Sequence, residues 1–202
     1  MTEVLHVILV LDETGSMQSI KEQTLSGLNE YIQTLQNDKE HSYKMSLVMF
    51  NSNALSMVFR DRDINTVYKF TDEHYHPNYM TPLYDAVAWA INNVETNDNV
   101  LLVILTDGYE NASKEYTLDS ISKLLDTKRK DGWQIIFLGA DQDAWGLTGA
   151  SIGFTKGQTL SFDSEDIVVG MRTLATNTVS YVASGMTQTN NFFIDTDIRA
   201  IS

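Results

Sequence analysis

Four short, nearly unbroken apolar runs constrain this chain most: Val4–Leu11, Lys44–Phe50, Val100–Thr106 and Trp133–Gly139. A strand with one face in water alternates polar and apolar residues, whereas a strand buried on both faces does not. The runs therefore read as strands of a parallel sheet covered by helices on both sides. Between them, apolar residues recur every three or four positions. One set is Ile20, Thr24, Leu25, Leu28, Ile32 and Leu35; a second is Leu83, Val87, Ala90, Ile91 and Val94; a third is Leu118, Ile121, Leu124 and Leu125. Each set lays one apolar stripe along a helix. A last helix is expected from about Ser164 to Gly185, with Ser164, Glu165 and Asp166 as its start signal. Asn51-Ser52-Asn53 marks a turn, so Ala54–Arg60 should fold back as an antiparallel edge strand. Residues 61–80 carry no helical pattern, and a loop that long is expected to be functional or loosely ordered. The expected architecture is α/β: a doubly wound, mostly parallel central sheet with one antiparallel edge strand and helices on both faces. Residues 1–185 form the domain and 186–202 a tail.

Composition excludes several classes of function. With 14 Lys+Arg against 27 Asp+Glu, the net charge is −13. Such a surface repels a phosphate backbone, so neither nucleic acid nor an anionic membrane is an expected partner. The one dense basic run, Lys128-Arg129-Lys130, is expected at the end of a helix, where cations suit its dipole. No Cys occurs, which removes disulfides, thiolate metal sites and a cysteine nucleophile together. The apolar runs fall far short of the ~20 residues a membrane span needs. The start Met1-Thr2-Glu3 lacks the basic region of a leader, so the expected compartment is the cytoplasm. In the tail, Phe192, Phe193 and Ile194 are flanked by polar residues, and are expected to dock on the parent domain or on a second copy.

Ligands of open α/β sheets bind beyond the carboxyl ends of the strands, where strand order reverses. The residues that follow the apolar runs are therefore the ones to read for chemistry. Asp12-Glu13-Thr14-Gly15-Ser16 follows the first run, and Thr106-Asp107-Gly108 closes a later one. Between them, Thr81-Pro82-Leu83 opens a helix. Pro82 disfavours helical backbone at Thr81 and holds it on an extended loop. Asp12, Asp107, Thr14, Ser16 and Thr81 offer two carboxylates and three hydroxyls. All are hard oxygen donors, which suit Mg²⁺, Mn²⁺ or Ca²⁺ rather than Zn²⁺ or Cu²⁺.

Asp12-x-Thr14-x-Ser16, Thr81-Pro82-Leu83 and Thr106-Asp107-Gly108 resemble, in order, the three parts of the metal-ion-dependent adhesion site (MIDAS) of von Willebrand factor type A domains. The resemblance covers roughly residues 4–160 and is nearest to stand-alone intracellular A domains of bacteria and phages. Gly139-Ala140-Asp141-Gln142-Asp143-Ala144 resembles that group too. It implies a Rossmann-like fold and a non-enzymatic, metal-dependent protein-binding module. Thr14 and Ser16 would ligate Mg²⁺ directly, and Thr81 directly or through a water. Asp12 and Asp107 would act mainly through waters, and an Asp or Glu of a partner protein would fill the open position. The departure is Thr14, where the commonest form has Ser.

Each signal has a plainer reading. Asp12-x-Thr14-x-Ser16 alone could be a helix N-cap turn. Glu13 and Glu110 read as solvated, and Asp141 and Asp143 as a turn or N-cap rather than a second cation site. His74 and His76 lack further ligands, and Met45, Met49 and Met57 read as core or sheet residues. Phosphoryl transfer of the haloacid dehalogenase type needs a second Asp two residues after the first, and that position is Thr14. The alternatives kept are a structural subunit of a bacterial or phage assembly with an internal metal site and, less favoured, a Mg²⁺-dependent phosphoryl-transfer enzyme.

Overall fold

A computed structural model of the chain describes residues 3–94, 96, 98–140, 152–163 and 166–194. Strand β1 (Val4–Asp12) is central, pairing in parallel with β2 (Ser42–Asn51) on one side and β4 (Asn99–Thr106) on the other. Its residues serve two cores. Leu5, Val7, Leu9 and Leu11 pack toward helices α1 (Lys21–Asn37) and α4 (Ile167–Ala183). Ile8 and Val10 pack toward α2 (Leu83–Asn93) and α3 (Leu118–Lys130). An unbroken apolar run is what burial on both faces requires. Lys128, Arg129 and Lys130 do form the last turn of α3.

Among the described residues the sheet has six strands in the order β3-β2-β1-β4-β5-β6, with β5 at Gln134–Ala140 and β6 at Thr159–Phe162. β3 (Ala54–Asp63) is antiparallel to β2 and lies at one edge, three residues longer than expected. Its turn is held by Asn51, whose Oδ1 accepts from the backbone N–H of Asn53 and Ala54 at 2.9 and 3.0 Å. The chain winds outward from β1 to β3, then returns to β4. Strand order therefore reverses between β1 and β4, and their carboxyl ends flank that crevice.

Three features depart from the sequence reading. β6 was not expected: its four residues are too few for a visible periodicity. The last helix begins at Ile167 and not Ser164, and Ser164, Glu165 and the Asp141/Asp143 segment lie outside the described residues. Residues 64–80 are not loose. They form two short 3-10 turns and bury Ile64, Val67, Phe70 and Tyr75 in the core.

The tail's aromatic pair docks on the parent domain. Phe192 and Phe193 are 6% and 2% exposed, and Ile194 stays in water. The Phe193 N–H donates to Gly157 O at 2.8 Å, and Asn177 Nδ2 donates to Phe192 O at 2.9 Å. Gly157 is required there, because a Cβ would collide with the Asn190–Asn191 backbone. Met45 and Met49 are buried and Met57 packs at the core's edge. Truncating Phe193 to Ala should cost about 3 kcal/mol or more. In a domain of this size, that lowers the melting temperature by roughly 6–12 °C. Calorimetric unfolding checks it.

Candidate metal centre

Asp12 is the last residue of β1 and fully buried. Its Oδ1 accepts the Thr14 backbone N–H at 2.7 Å, and its Oδ2 accepts the Thr106 hydroxyl at 2.5 Å. Burial dominates its titration and pushes the carboxyl up to about 7. The bonds from Thr106 and Thr14 offset part of that, and the Asp107 charge adds to it. Tyr75 feels the same negative field. Burial first, and then the charges of Asp12, Asp107 and Glu13, hold its phenol well above the ordinary value.

Above Asp12 the three hydroxyls meet. Thr81 Oγ1 donates to Thr14 Oγ1 at 3.1 Å, Thr14 Oγ1 lies 3.3 Å from Ser16 Oγ, and Ser16 Oγ donates to Asp107 Oδ1 at 2.5 Å. Adjacent oxygens in an octahedron around Mg²⁺ sit roughly 3.0 Å apart, given metal–oxygen distances near 2.1 Å. The hydroxyl spacing matches that edge. Gly108 leaves the room: a Cβ there would lie 3.0 Å from Thr81 Oγ1 and 3.3 Å from Ser16 Oγ. The donor set thus fits a hard divalent cation. The N-cap reading fails on geometry, because Thr14 occupies the N-cap of the 3-10 turn Gly15–Ile20 but its side chain caps nothing.

Distant segments hold these residues in place. The Tyr75 hydroxyl donates to Asp12 O at 2.5 Å, and Gly15 N–H donates to Tyr79 O at 2.9 Å. Thr81 and Asn111 are tied twice, Thr81 N–H to Asn111 Oδ1 at 2.8 Å and Asn111 N–H to Thr81 O at 3.0 Å. Sequence reasoning assigned no role to Thr106, Tyr75 or Asn111. Thr106 lay inside a motif already noticed, whereas nothing local marked Tyr75.

Two expectations about the rim change. Glu110 is not simply solvated: it accepts from the N–H groups of Tyr84, Ala112 and Ser113 and from the Ser113 hydroxyl, at 2.7–3.0 Å. Glu13 accepts the His76 N–H at 2.7 Å. His74 closes a capping box with Thr71, and the His76 ring contacts Glu73 O at 3.0 Å, so both histidines have local structural work.

The von Willebrand factor type A domain family matches residues 6–177, and the chain belongs to that family. Solved structures agree in fold. The vWF domain of the type V pili tip protein Mfa5 from Porphyromonas gingivalis is 9% identical, with a TM-score of 0.66, covering 94% of this chain and 98% of that one. Proximal thread matrix protein 1 from the mussel byssus, with a zinc-occupied MIDAS motif, is 16% identical, with a TM-score of 0.60, covering 83% of this chain and 45% of that one. A von Willebrand factor type A protein from Catenulispora acidiphila is 14% identical, with a TM-score of 0.62, covering 87% of this chain and 42% of that one. The chain thus spans less than half the length of the latter two. No curated protein matches the sequence. Domains of this family are in general interaction modules rather than enzymes, and the mussel byssus protein holds zinc at its MIDAS motif.

The raised Asp12 carboxyl has a signed consequence. Unfolded, it titrates near 3.8; folded, it titrates near 7, so between these values the folded state holds the extra proton. Stability without metal should therefore fall as pH rises from about 4 to about 7 and level off above. The rise corresponds to about 4 kcal/mol of disfavoured charge. Asp12→Asn should melt several degrees above metal-free wild type at pH 8, gain little at pH 4, and lose any Mg²⁺-induced shift. Thermal melts at the two pH values measure this. Gly108→Ala should weaken Mg²⁺ binding at least tenfold by placing a methyl group among the hydroxyls, as calorimetry would read.

Proposed function

We propose that the chain is a divalent-metal-dependent protein-binding module. Asp12, Thr14, Ser16, Thr81 and Asp107 hold Mg²⁺, with Mn²⁺ or Ca²⁺ able to take the same seat. An Asp or Glu side chain of a partner protein completes the coordination. The observation that carries this reading is the convergence of three neutral hydroxyls at octahedral spacing over a buried carboxylate, at the reversal of strand order.

The residues divide the labour. Asp12 has both oxygens engaged by Thr14 and Thr106, so it orients the turn and supplies charge rather than reaching outward. Asp107 positions the Ser16 hydroxyl. Thr14 and Thr81 set the remaining edge. When bound, the cation supplies a Lewis-acidic position for one more carboxylate oxygen. Two carboxylates balance its charge, and neutral hydroxyl ligands leave it attractive to a third.

One coordinated carboxylate orients a partner but gives limited affinity, which must come from surrounding surface. Tyr79, Met80 and Tyr109 are 55%, 53% and 43% exposed beside the site. Tyr79 has φ 70°, a backbone conformation uncommon for a bulky residue. The Met80 carbonyl, which accepts the Ser52 N–H at 2.9 Å, ties the same loop to the β2–β3 turn. This apolar rim supports a protein rather than a small carboxylate as the ligand. The cytoplasm is the proposed location, in keeping with a chain that contains no Cys.

Affinity capture with the immobilised protein tests the reading. A partner retained in millimolar Mg²⁺ should be lost in EDTA and with Asp12→Ala, and weakened with Thr81→Ala. Tyr79→Ala should weaken capture at least tenfold while leaving calorimetric Mg²⁺ binding unchanged. Capture that survives both EDTA and Asp12→Ala would overturn the mechanism, as would wild-type protein giving no heat with millimolar Mg²⁺ or Mn²⁺.

A further inference from the structure

The opposite end of the sheet gathers a second set of metal-ligating side chains that the proposed binding site does not use. His6 lies near the start of β1, and Asp98 immediately precedes β4. β3 runs antiparallel, so Asp61, near its end, arrives beside the beginnings of the parallel strands. One ligand atom each from His6, Asp61 and Asp98 lies within 4.8 Å of the others.

His6 is the observation that makes this more than an acidic cluster. It interrupts the apolar run of the central strand and is completely buried. Its Nε2 lies 2.9 Å from Ser46 Oγ, but among the described residues its Nδ1 has no hydrogen-bond partner. Asp61 Oδ1 is 3.8 Å from that nitrogen. A buried polar atom left without a partner costs about 1–3 kcal/mol. The backbone beside it is shaped as well. Asp61 has φ 49°, and its N–H leaves the β-ladder to donate to Ser46 Oγ at 2.9 Å. The β2–β3 register shifts nearby, between Met45 and Leu47 and again between Leu47 and Val48.

We propose that His6 Nδ1 and the carboxylates of Asp61 and Asp98 form a second cation site, suited to a borderline divalent transition metal such as Zn²⁺. One imidazole nitrogen with two carboxylates suits such an ion, in contrast to the all-oxygen set at the other end of the sheet. The tautomer with hydrogen on Nε2 donates to Ser46 Oγ and turns the Nδ1 lone pair toward the carboxylates. That outer hydrogen bond is the usual support of a metal-bound histidine. Lys44 shares the seat. Its Nζ lies 3.3 Å from Asp61 Oδ1 and 3.2 Å from Asp98 Oδ2, bridging the pair, while among the described residues Nδ1 stays unpartnered. The Lys44 side chain is 37% exposed, so it can swing into water when a metal enters. Asp61 and Asp98, with side chains 46% and 27% exposed, have room to close on the ion. Zn²⁺ balances both carboxylates, whereas one ammonium leaves the group negative.

The test is run in the Asp12→Asn background, which disables the other site, so the two readings fail separately. Zn²⁺ titrated into this protein should bind at one ion per chain by calorimetry, and Co²⁺ should give visible absorption bands. Asp98→Asn and Asp61→Asn should each weaken Zn²⁺ at least tenfold and reduce the Co²⁺ bands; both positions are partly exposed, so folding should survive, whereas His6→Ala would leave a buried cavity in the central strand. Lys44→Met should tighten Zn²⁺ at least threefold by removing the competing charge. In the Asp12 wild-type chain, Asp98→Asn should leave Mg²⁺ binding unchanged. Absence of Zn²⁺ heat in the Asp12→Asn protein, or heat indifferent to both aspartate variants, overturns the site. An affinity that Lys44→Met leaves equal or lower overturns the shared seat.

Discussion

A carboxylate buried at the end of the central strand is the constraint around which one end of this molecule is organised. Asp12 has no exposed surface, and its charge is disfavoured until its titration reaches about 7. Removing a carboxylate from water is costly unless hydrogen bonds and an opposite charge compensate. The chain supplies the hydrogen bonds, from Thr14 N–H and Thr106 Oγ1. These same bonds bend the chain after β1 and bring Thr14 and Ser16 toward Thr81 and Asp107. A strained electrostatic arrangement and a well-formed donor set are thus two aspects of one feature. Such conflicts are expected at functional sites, where local stability is lower than packing alone would allow.

The sheet explains where this can happen. β1 and β4 are neighbours in the sheet, and the connections leaving their carboxyl ends run to opposite sides of the strand order. Rigid strands hold Asp12 and Thr106 opposite one another, as the pairing of Leu11 with Leu105 one residue earlier requires. Loops then bring Thr81 and the 64–80 segment over the top. The antiparallel β3 has a separate effect at the far end. It carries Asp61 back to the beginnings of the parallel strands, beside a histidine that a fully apolar core would not contain.

Much of this was legible in the chain. Unbroken apolar runs marked four strands because both faces of a covered sheet exclude water. The Asn51-Ser52-Asn53 turn marked the edge hairpin because its side chain can replace a backbone partner. Asp12, Thr14, Ser16, Thr81 and Asp107 stand out as candidate donors because each sits in a short local pattern. β6 escaped because four residues, Thr159–Phe162, give no period to read, and its pairing to β5 is a tertiary fact. Tyr75 escaped because its hydroxyl acts across 63 residues, on the Asp12 carbonyl. Glu110 was read as solvated because a carboxylate that caps nearby N–H groups is indistinguishable, in sequence, from one in water.

By itself the sequence determined the chemistry: which hard oxygen donors are present, in what order, and at the ends of which strands. It could do so because strand burial and turn formation depend on residues a few positions apart. Only the tertiary structure decided that three hydroxyls meet at the spacing of an octahedral edge, since Thr14 and Thr81 are 67 positions apart. It also decided that Asp12 carries a costly charge, that Phe192 and Phe193 belong to the domain's own core, and that His6 faces two carboxylates. Each of these depends on desolvation or on contacts between distant segments, and neither is written in any local run of residues.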